Sequence, residues 1–179
     1  MKNNNIKNKY IRKKMINFEN ITFRKSNNTP EDFALLRNIH KLAIQKSVIE
    51  TIGQWDEEFQ KSRLEHHFKE SYNSLEFIIL NNQVIGTINC RKKFFDDKPC
   101  HFVEQFYLLP EYQNKGLGSY LLQNKLSLEI ENRLSVLKND INTHNFYYKN
   151  GFVEYAEDQY QKYMKKIPRH THKVNVKIK

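Results

Sequence analysis

The chain has 179 residues, 39% of them hydrophobic, which is enough for one domain with a sizeable core. No stretch approaches the roughly 18 apolar residues of a membrane span, and the basic N-terminus lacks the apolar core of a signal peptide, so we expect a cytosolic protein that does not bind membranes. Cys90 and Cys100 have no His or Cys neighbours at metal-ligand spacing, which predicts two free thiols and no metal site.

The net charge of +10 is concentrated at the two ends of the chain. Residues 1–14 carry six cations and no acid, residues 165–179 carry another six and no acid, and 18 basic and 20 acidic residues remain between them. We therefore expect basic, disordered tails at 1–14 and 168–179 around a single domain at 15–167, with Met15 as an alternative start. Nucleic-acid binding is expected to go no further than loose contact by these tails.

The first third of the chain predicts a short strand and two helices. Residues 21–24 alternate apolar and polar side chains, as a strand does. Thr29 as a cap and Pro30 at the first position predict a helix that reaches about residue 49. Gly53 interrupts the pattern, and the acids at 56–58 predict a second helix that reaches about residue 70.

The remaining elements alternate between strands and helices. The β-rich runs 75–80 and 84–90 predict a hairpin, and residues 91–99 are expected to form a loop before a buried strand at 102–109. Helical spacing then runs from Leu117 to Ile130. The last predicted elements are a strand at 134–137, a helix at about 142–150 and strands at 152–157 and 160–166. The order β-αα-βββ-α-β-α-ββ predicts a mixed α/β (α+β) domain, in which about four helices flank a largely antiparallel sheet of six to seven strands.

Residues 108–118 join the buried strand to the following helix through Gly116 and Gly118. The first turn of a helix has unpaired N–H groups and the positive end of the helix dipole, and glycine lets an anion approach the main chain. This predicts a site for a phosphorylated ligand, with a plain strand-to-helix turn as the alternative. The third glycine of a dinucleotide site and the Gly-Lys-Ser/Thr ending of a nucleoside triphosphate loop are absent.

Two segments carry a resemblance to a known family. Gln113-Asn114-Lys115-Gly116-Leu117-Gly118 resembles the Gln/Arg-x-x-Gly-x-Gly/Ala signature of the GNAT superfamily of N-acyltransferases. Residues 145–152, with the sequence Asn-Phe-Tyr-Tyr-Lys-Asn-Gly-Phe, are similar to the end of that superfamily's last helix and the strand that follows. The likeness extends over residues 21–166.

The resemblance implies the same element order, acetyl-CoA as cosubstrate and Tyr147 as the acid that protonates the departing thiolate. It also implies that two neighbouring strands splay to admit the pantetheine arm. The cofactor-binding residues that it implies are Phe106, Leu108, Gln113, Asn114, Lys115, Gly116, Leu117, Gly118, Ser119 and Asn142. The superfamily commonly has Asn seven residues before the acidic tyrosine, and this chain departs from that pattern with Asp140.

Acyl transfer from a thioester to an amine also needs a base. Glu104 is the best candidate, because it lies in an apolar strand at even spacing from Phe106 and Leu108 and is expected to share their face. A salt-bridged or edge-exposed carboxylate is the alternative, and His101, His66 and His67 are weaker candidates. Tyr147 has its own alternative, a packed aromatic between Phe146 and Tyr148.

Trp55, Glu57 and Glu58 are the candidate acceptor-binding residues, because an aromatic ring and carboxylates suit a cationic amine. A capped helix start explains the same residues. Taken together, the sequence predicts an acetyl-CoA-dependent N-acetyltransferase that acts directly on a primary amine of a small molecule or peptide, without a covalent intermediate. A catalytically silent acyl-CoA-binding module is the alternative, and an oligomer is compatible with either.

Overall fold

The computed structural model describes residues 18–168. The expectations for the tail at 1–14, for Met15 and for residues 169–179 lie outside this part of the chain. The strands are β1 (Ile21–Lys25), β2 (Leu75–Leu80), β3 (Gln83–Phe95), β4 (Lys98–Leu108), β5 (Glu131–Leu137), β6 (Val153–Glu157) and β7 (Gln161–Lys166). The helices are α1 (Pro30–Ile52), α2 (Glu57–Ser71), α3 (Leu117–Lys125) and α4 (Ile141–Lys149). The predicted element order is confirmed.

Across residues 18–168 the strands form one sheet in the order β1-β2-β3-β4-β5-β7-β6. Every neighbouring pair in it is antiparallel except β4 and β5. The predicted mixed α/β fold with a largely antiparallel sheet is therefore confirmed. The single parallel pair matters for the site, because both of its strands end at the same edge of the sheet.

Helices cover the sheet on both sides. On one side, called the α1–α2 face, Leu36 and Leu64 pack with Phe77 in one buried cluster. On the other side, called the α3–α4 face, α3 and α4 pack over two further clusters that include Leu108 and Val103. Burial of these apolar side chains provides the main driving force for the fold.

The start and end of α1 follow the expected capping chemistry. The Thr29 Oγ1 accepts a hydrogen bond from the Asp32 amide at 3.2 Å, and Pro30 occupies the first helical position. The helix ends at Gly53, which has a φ of +95° and donates its N–H to the Ile49 carbonyl. A residue in this left-handed conformation is a common helix terminator, and glycine adopts it without a steric penalty.

Two expectations about local structure are wrong. Residues 91–99 are not a loop, because β3 continues to Phe95 and β4 begins at Lys98. Asp96 and Asp97, with φ values of 51° and 59°, make a two-residue turn, since short acidic side chains tolerate the left-handed region. The helical spacing that continues to Ile130 does not extend α3, which ends at Lys125 because the Asn132 side chain holds both the N–H and the carbonyl of Ser127 in a turn.

Candidate active site

The loop between β4 and α3 contains a run of main-chain N–H groups that have no partner in the described part of the chain. Tyr112 and Gln113 donate their amides to the carbonyls of Leu109 and Pro110, and Tyr120 donates to Gly116. Between them, the six amides of residues 114–119 find no protein acceptor among residues 18–168. Six adjacent free donors at the start of a helix form a site that fits an anionic group such as a diphosphate. This segment, residues 109–119, is called the phosphate loop below.

The two glycines of the phosphate loop have different tasks. Gly116 has a φ of +79°, and the one atom of residues 18–168 within 4 Å of a Cβ there is in the Phe18 ring, at 3.9 Å. Gly118 has an ordinary φ, but a Cβ there would meet the Phe146 ring of α4 at 3.1 Å. Gly116 therefore lets the backbone turn and keeps the amides accessible, whereas Gly118 lets α3 pack closely against α4.

The side chains predicted to bind the cofactor are placed unequally around this loop. The Gln113 side chain is used inside the protein, because its Nε2 donates to the Leu108 carbonyl at 2.8 Å. Ser119 Oγ accepts a hydrogen bond from Asn150 at 3.1 Å, which links α3 to the end of α4. Asn114 and Lys115 are exposed at the mouth of the loop. Asn142 is exposed in the first turn of α4, beside the capping Asp140.

A gap opens between β4 and β5 next to the phosphate loop. Their parallel pairing runs from Cys100 opposite Glu131 to Val103 opposite Leu134 and then stops. Both strands continue, to Leu108 and Leu137 respectively. Within the described chain, the side of β4 that faces β5 therefore has no strand partner over residues 104–108, which include Phe106 and Leu108. This is the splay that the resemblance implied.

Tyr147 lies on α4 and belongs to the buried cluster that includes Val103 and Leu134, the last residues paired across β4 and β5. It is 6% exposed, and its ring contacts Phe146 and Phe152 at centroid distances of 5.0 and 5.4 Å. Burial is the main reason that the pKa of Tyr147 lies well above its ordinary value. The phenol therefore keeps its proton at neutral pH, as a general acid must.

The expectation that Glu104 shares a face with Phe106 and Leu108 is wrong. The pairing of β3 with β4 shifts here, so that Cys90 lies opposite Val103 and Asn89 opposite Gln105, and Glu104 is the extra residue of a bulge. A bulge interrupts the alternation of side chains along a strand and re-aims the extra residue. Glu104 consequently lies on the α1–α2 face.

The Glu104 carboxylate is also not free. Its side chain is 9% exposed, and it lies 2.6 Å from Arg91 Nη2 and 2.6 Å from Lys93 Nζ. Two cationic groups therefore pair with this one carboxylate. The salt-bridged alternative describes this geometry, and the bulge nevertheless brings the carboxylate to the point where the pairing of β4 with β5 ends.

Trp55, Glu57 and Glu58 start α2 and are not brought to the gap as free groups. Glu57 accepts hydrogen bonds from Lys41, Trp55 Nε1 and Arg37 at 2.8, 2.7 and 3.0 Å. These hydrogen bonds, with that from Lys41 as the largest cause, lower the pKa of Glu57 to about 2. Glu58 is exposed and Asp56 caps the helix by accepting from the Phe59 amide, so the helix-start interpretation describes all of these side chains.

His40 is a residue of this region that the sequence analysis missed. It is 1% exposed on α1, its ring lies 5.3 Å from that of Tyr107 and 5.7 Å from that of Trp55, and its Nε2 is buried with no partner among the described residues. Burial, with a smaller effect of Arg63, lowers the pKa of His40 to about 4. The signal was present, because His40 falls on the apolar stripe of α1 next to Ile39.

The two cysteines are free thiols, and neither has the environment of a nucleophile. Burial raises the pKa of Cys90 to about 12 and also raises that of Cys100. In the part of the chain that is described, no group of three or more His, Cys, Asp or Glu side chains could hold a metal ion. None of the described helices is both long and apolar enough to cross a bilayer.

Comparison with known proteins gives a family and a fold. A family model described as the acetyltransferase (GNAT) family matches residues 36–152, a range that contains the phosphate loop, the gap and Tyr147. Among curated proteins no match was found.

Solved structures with the same fold have low sequence identity to this chain. A Pyrococcus horikoshii protein is 18% identical with a TM-score of 0.64, over 82% of this chain and 98% of that one. The PaiA N-acetyltransferase of Thermoplasma acidophilum, solved in complex with coenzyme A, is 23% identical with a TM-score of 0.58, over 82% and 98%. A chain of the NatC complex bound to Gag peptide and CoA is 13% identical with a TM-score of 0.55, over 83% and 98%.

Proposed function

The chain belongs to the GNAT family of acetyltransferases, and from this premise we propose that it transfers the acetyl group of acetyl-CoA directly to a primary amine. Membership of this family establishes the general activity, which is acyl transfer with acetyl-CoA as donor. The observation that carries the proposal for this chain is the run of six free amides at residues 114–119, next to the gap between β4 and β5. Main-chain N–H groups at the start of a helix can donate hydrogen bonds to the oxygens of a diphosphate.

We assign the cofactor contacts to the groups of the phosphate loop that form no hydrogen bond within the described protein. The amides of residues 114–119 would hold the pyrophosphate, with Lys115 adding positive charge, while Gln113 and Ser119 keep the loop in shape through their internal hydrogen bonds. The unpaired side of β4 at Phe106 and Leu108 would receive the pantetheine arm. Asn142, exposed in the first turn of α4, stays a proposed contact.

Two side chains are proposed to move protons. Acetyl-CoA supplies the acetyl group as a thioester. Tyr147 donates its phenolic proton to the sulfur as the carbon–sulfur bond breaks, and its raised pKa keeps that proton in place until then. Glu104, directly or through water, accepts the proton that the amine loses as its nitrogen bonds to the carbonyl carbon.

The position of Glu104 supports this role, despite its two cationic partners. The phosphate loop and α3 pack on the α3–α4 face, so an amine is expected to approach the gap from the α1–α2 face. The bulge directs Glu104 to that face. Substitution of Glu104 by Gln should lower turnover most at low pH, where fewer amines are already deprotonated.

The acceptor is a small-molecule or peptide amine. A peptide is supported by the likeness to a chain of the NatC complex, whose structure contains a peptide and CoA. Trp55, Glu57 and Glu58 stay proposed acceptor contacts, although the partners of Glu57 reduce the negative charge that it offers.

The test is release of free CoA from acetyl-CoA, followed by a thiol reagent across a panel of amines that includes peptides and polyamines. We expect release that depends on one class of amine and that yields one acetylated product per CoA. A silent acyl-CoA-binding module, the alternative, would bind CoA with similar affinity but would show no amine-dependent release.

A further inference from the structure

A concave site lies at the other end of β4, away from the phosphate loop. It is a cavity of about 320 Å³ on the α1–α2 face, lined by the first residues of β4 and β5 and by β7. Its polar lining consists mainly of Lys98, Arg133 and Lys165, with Asp96 and Glu131 beside them. Nothing in the proposed transfer reaction uses this cavity.

Of the three cations that line the cavity, Arg133 is paired with a carboxylate and the two lysines are not. Arg133 bonds to Glu131 and lies over the rings of Phe95 and Tyr155 at 4.7 and 5.1 Å. Lys165 Nζ also lies over the Tyr155 ring, at 5.4 Å. Neither Lys98 nor Lys165 has a carboxylate within 4.0 Å among residues 18–168. A fixed guanidinium beside two unpaired ammonium groups is a surface that favours carboxylates.

Positive charge extends from the cavity towards the gap. Arg91 and Lys93 lie between them and share the single carboxylate of Glu104. The charged side chains of the cavity lining and of the Glu104 cluster together are five cations and three carboxylates.

The distance along β4 fits an extended peptide. Cys100, in the wall of the cavity, and Glu104, at the start of the gap, are four residues apart on the strand, which corresponds to about 13 Å. An acceptor whose amine lies at the gap and whose chain follows β4 would bring roughly its fourth to sixth residue over the cavity.

We propose that this cavity is a docking subsite for an acidic stretch of a peptide acceptor, about four to six residues from the amine that is acetylated. The inference rests on the proposed function and names its substrate class. Recognition would come from Lys98 and Lys165, which are free to pair with carboxylates, around the fixed guanidinium of Arg133. Nucleic acid is a different occupant, which the experiment separates.

The first experiment measures CoA release with three peptides that have the same free N-terminal amine and differ only at positions four to six. These positions are all Glu, all Gln or all Lys. With the full-length protein we expect KM to be at least about fivefold lower for the Glu peptide than for the Gln peptide, with kcat similar, and the difference to shrink as salt is added. Equal KM values for the three peptides would overturn the inference while the proposed function stands.

The second experiment tests the two lysines. In a Lys98→Glu/Lys165→Glu variant the Lys peptide should become the preferred substrate, whereas a Lys46→Glu/Lys149→Glu variant, with the same charge change elsewhere on the surface, should keep the preference for Glu. A reversal in both variants would show a general charge effect and would overturn the inference. If the first variant does not fold, as judged by its thermal transition, Lys98→Gln/Lys165→Gln replaces it and should abolish the preference.

The third experiment does not require activity. A fluorescent Glu peptide is titrated with the CoA-bound protein and its variants, and anisotropy is recorded. Binding that depends on Lys98 and Lys165, without acetylation of any peptide, would support the subsite for acidic peptides and contradict a peptide amine as the acetyl acceptor. If single-stranded RNA displaced the peptide at lower concentration and required the same lysines, the cavity would be assigned to nucleic acid and the inference would be overturned.

Discussion

The phosphate loop and the start of α2 are both rich in groups that could bind a ligand, and they differ in what those groups do within the protein. In the loop, the six amides of residues 114–119 have no acceptor in the described chain. At the start of α2, the Glu57 carboxylate has three donors and the Asp56 carboxylate caps the helix.

This difference separates two kinds of polar cluster that look alike in a sequence. Desolvating a donor or acceptor is costly unless it forms a hydrogen bond, so a group that is satisfied internally has little left to offer a ligand. A group that stays unsatisfied and accessible is available for one. Four experiments examine whether this contrast holds.

The largest effect is expected at Tyr147, the buried phenol behind the gap. Tyr147→Phe should lower kcat for CoA release by about 10²–10⁴-fold, because the thiolate then leaves without a positioned acid. The affinity for acetyl-CoA should change little, since the ring and its packing are kept. Measurement of kcat and of the dissociation constant of CoA separates the two effects.

Tyr148→Phe is the matched control for that experiment. Tyr148 is exposed on the same helix, and its hydroxyl donates to Glu154 at 3.0 Å. Its loss should leave turnover unchanged. Equal rates for the Tyr147 variant and the wild type would remove Tyr147 from the mechanism.

Near the start of α2, His40 differs from Glu57 and Asp56, because its Nε2 has no hydrogen-bond partner among the described residues. We therefore expect the stability of the protein to depend on pH. The pKa of His40 is about 4 in the folded protein and 6.5 in the unfolded chain, so the unfolded state binds the proton first as the pH falls. The free energy of unfolding should therefore fall between about pH 6.5 and pH 4, by up to roughly 3 kcal/mol from this group.

Urea titrations at several pH values measure this slope in the wild type and in His40→Phe. The variant should lose most of the slope, and His67, whose pKa burial also lowers, should account for part of what is left. An unchanged slope in the variant would show that His40 is not buried in its neutral form.

Two glycines allow a sharper comparison of the phosphate loop with the start of α2. Gly116 in the loop and Gly53 just before α2 both have the left-handed conformation. Gly116 and Gly53 have φ values of +79° and +95°, and a Cβ would meet no close atom at either position. Substitution by Ala at either site should cost about 1–2 kcal/mol of stability. Only Gly116→Ala should also raise the dissociation constant of CoA, by about tenfold or more, because relief of the strain moves the free amides.

Calorimetric titration with CoA, alongside thermal unfolding, measures both quantities for the pair. If the two variants lost affinity equally, the loss would reflect general destabilisation, and the amides of the phosphate loop would no longer be assigned to the pyrophosphate.

The smallest effect is expected at Glu57. Its carboxylate is already paired with Lys41 and Arg37, so Glu57→Gln should change the KM for a cationic diamine by no more than about twofold. Steady-state kinetics with the diamine and with an uncharged amine measure the difference. A selective rise of tenfold for the diamine would restore Glu57 as an acceptor-binding residue.

The parts of the fold that depend on neighbouring residues were predictable from the sequence. Thr29, Pro30 and Gly53 mark the ends of α1 through local hydrogen bonds and backbone preferences. Gly116 and the apolar spacing of α3 likewise locate the phosphate loop, since both depend on a few adjacent positions.

The parts that depend on distant pairing were not predictable in the same way. The bulge at Glu104 follows from how β4 meets β3, and it moves the carboxylate to the other face of the sheet. The two cationic partners of Glu57, Lys41 and Arg37, lie 16 and 20 residues away on α1. A carboxylate therefore looks free in a sequence until the cations that reach it in space are known.

One helix spans the opening that divides the sheet. The first half of α1 rests on the β2 and β4 side, with Leu36 packed in the same cluster as Phe77 and His40 against Tyr107. Its second half is fastened beyond the opening, where Ser47 donates to Asp140 at 2.6 Å and Asn139 donates to the Glu50 carbonyl at 2.9 Å. The two parts of the sheet are joined directly by only four residue pairs between β4 and β5. Because α1 is attached to the sheet on both sides of the gap, it holds β4 and β5 at a fixed separation. The width of the gap that a bound ligand enters therefore depends on α1.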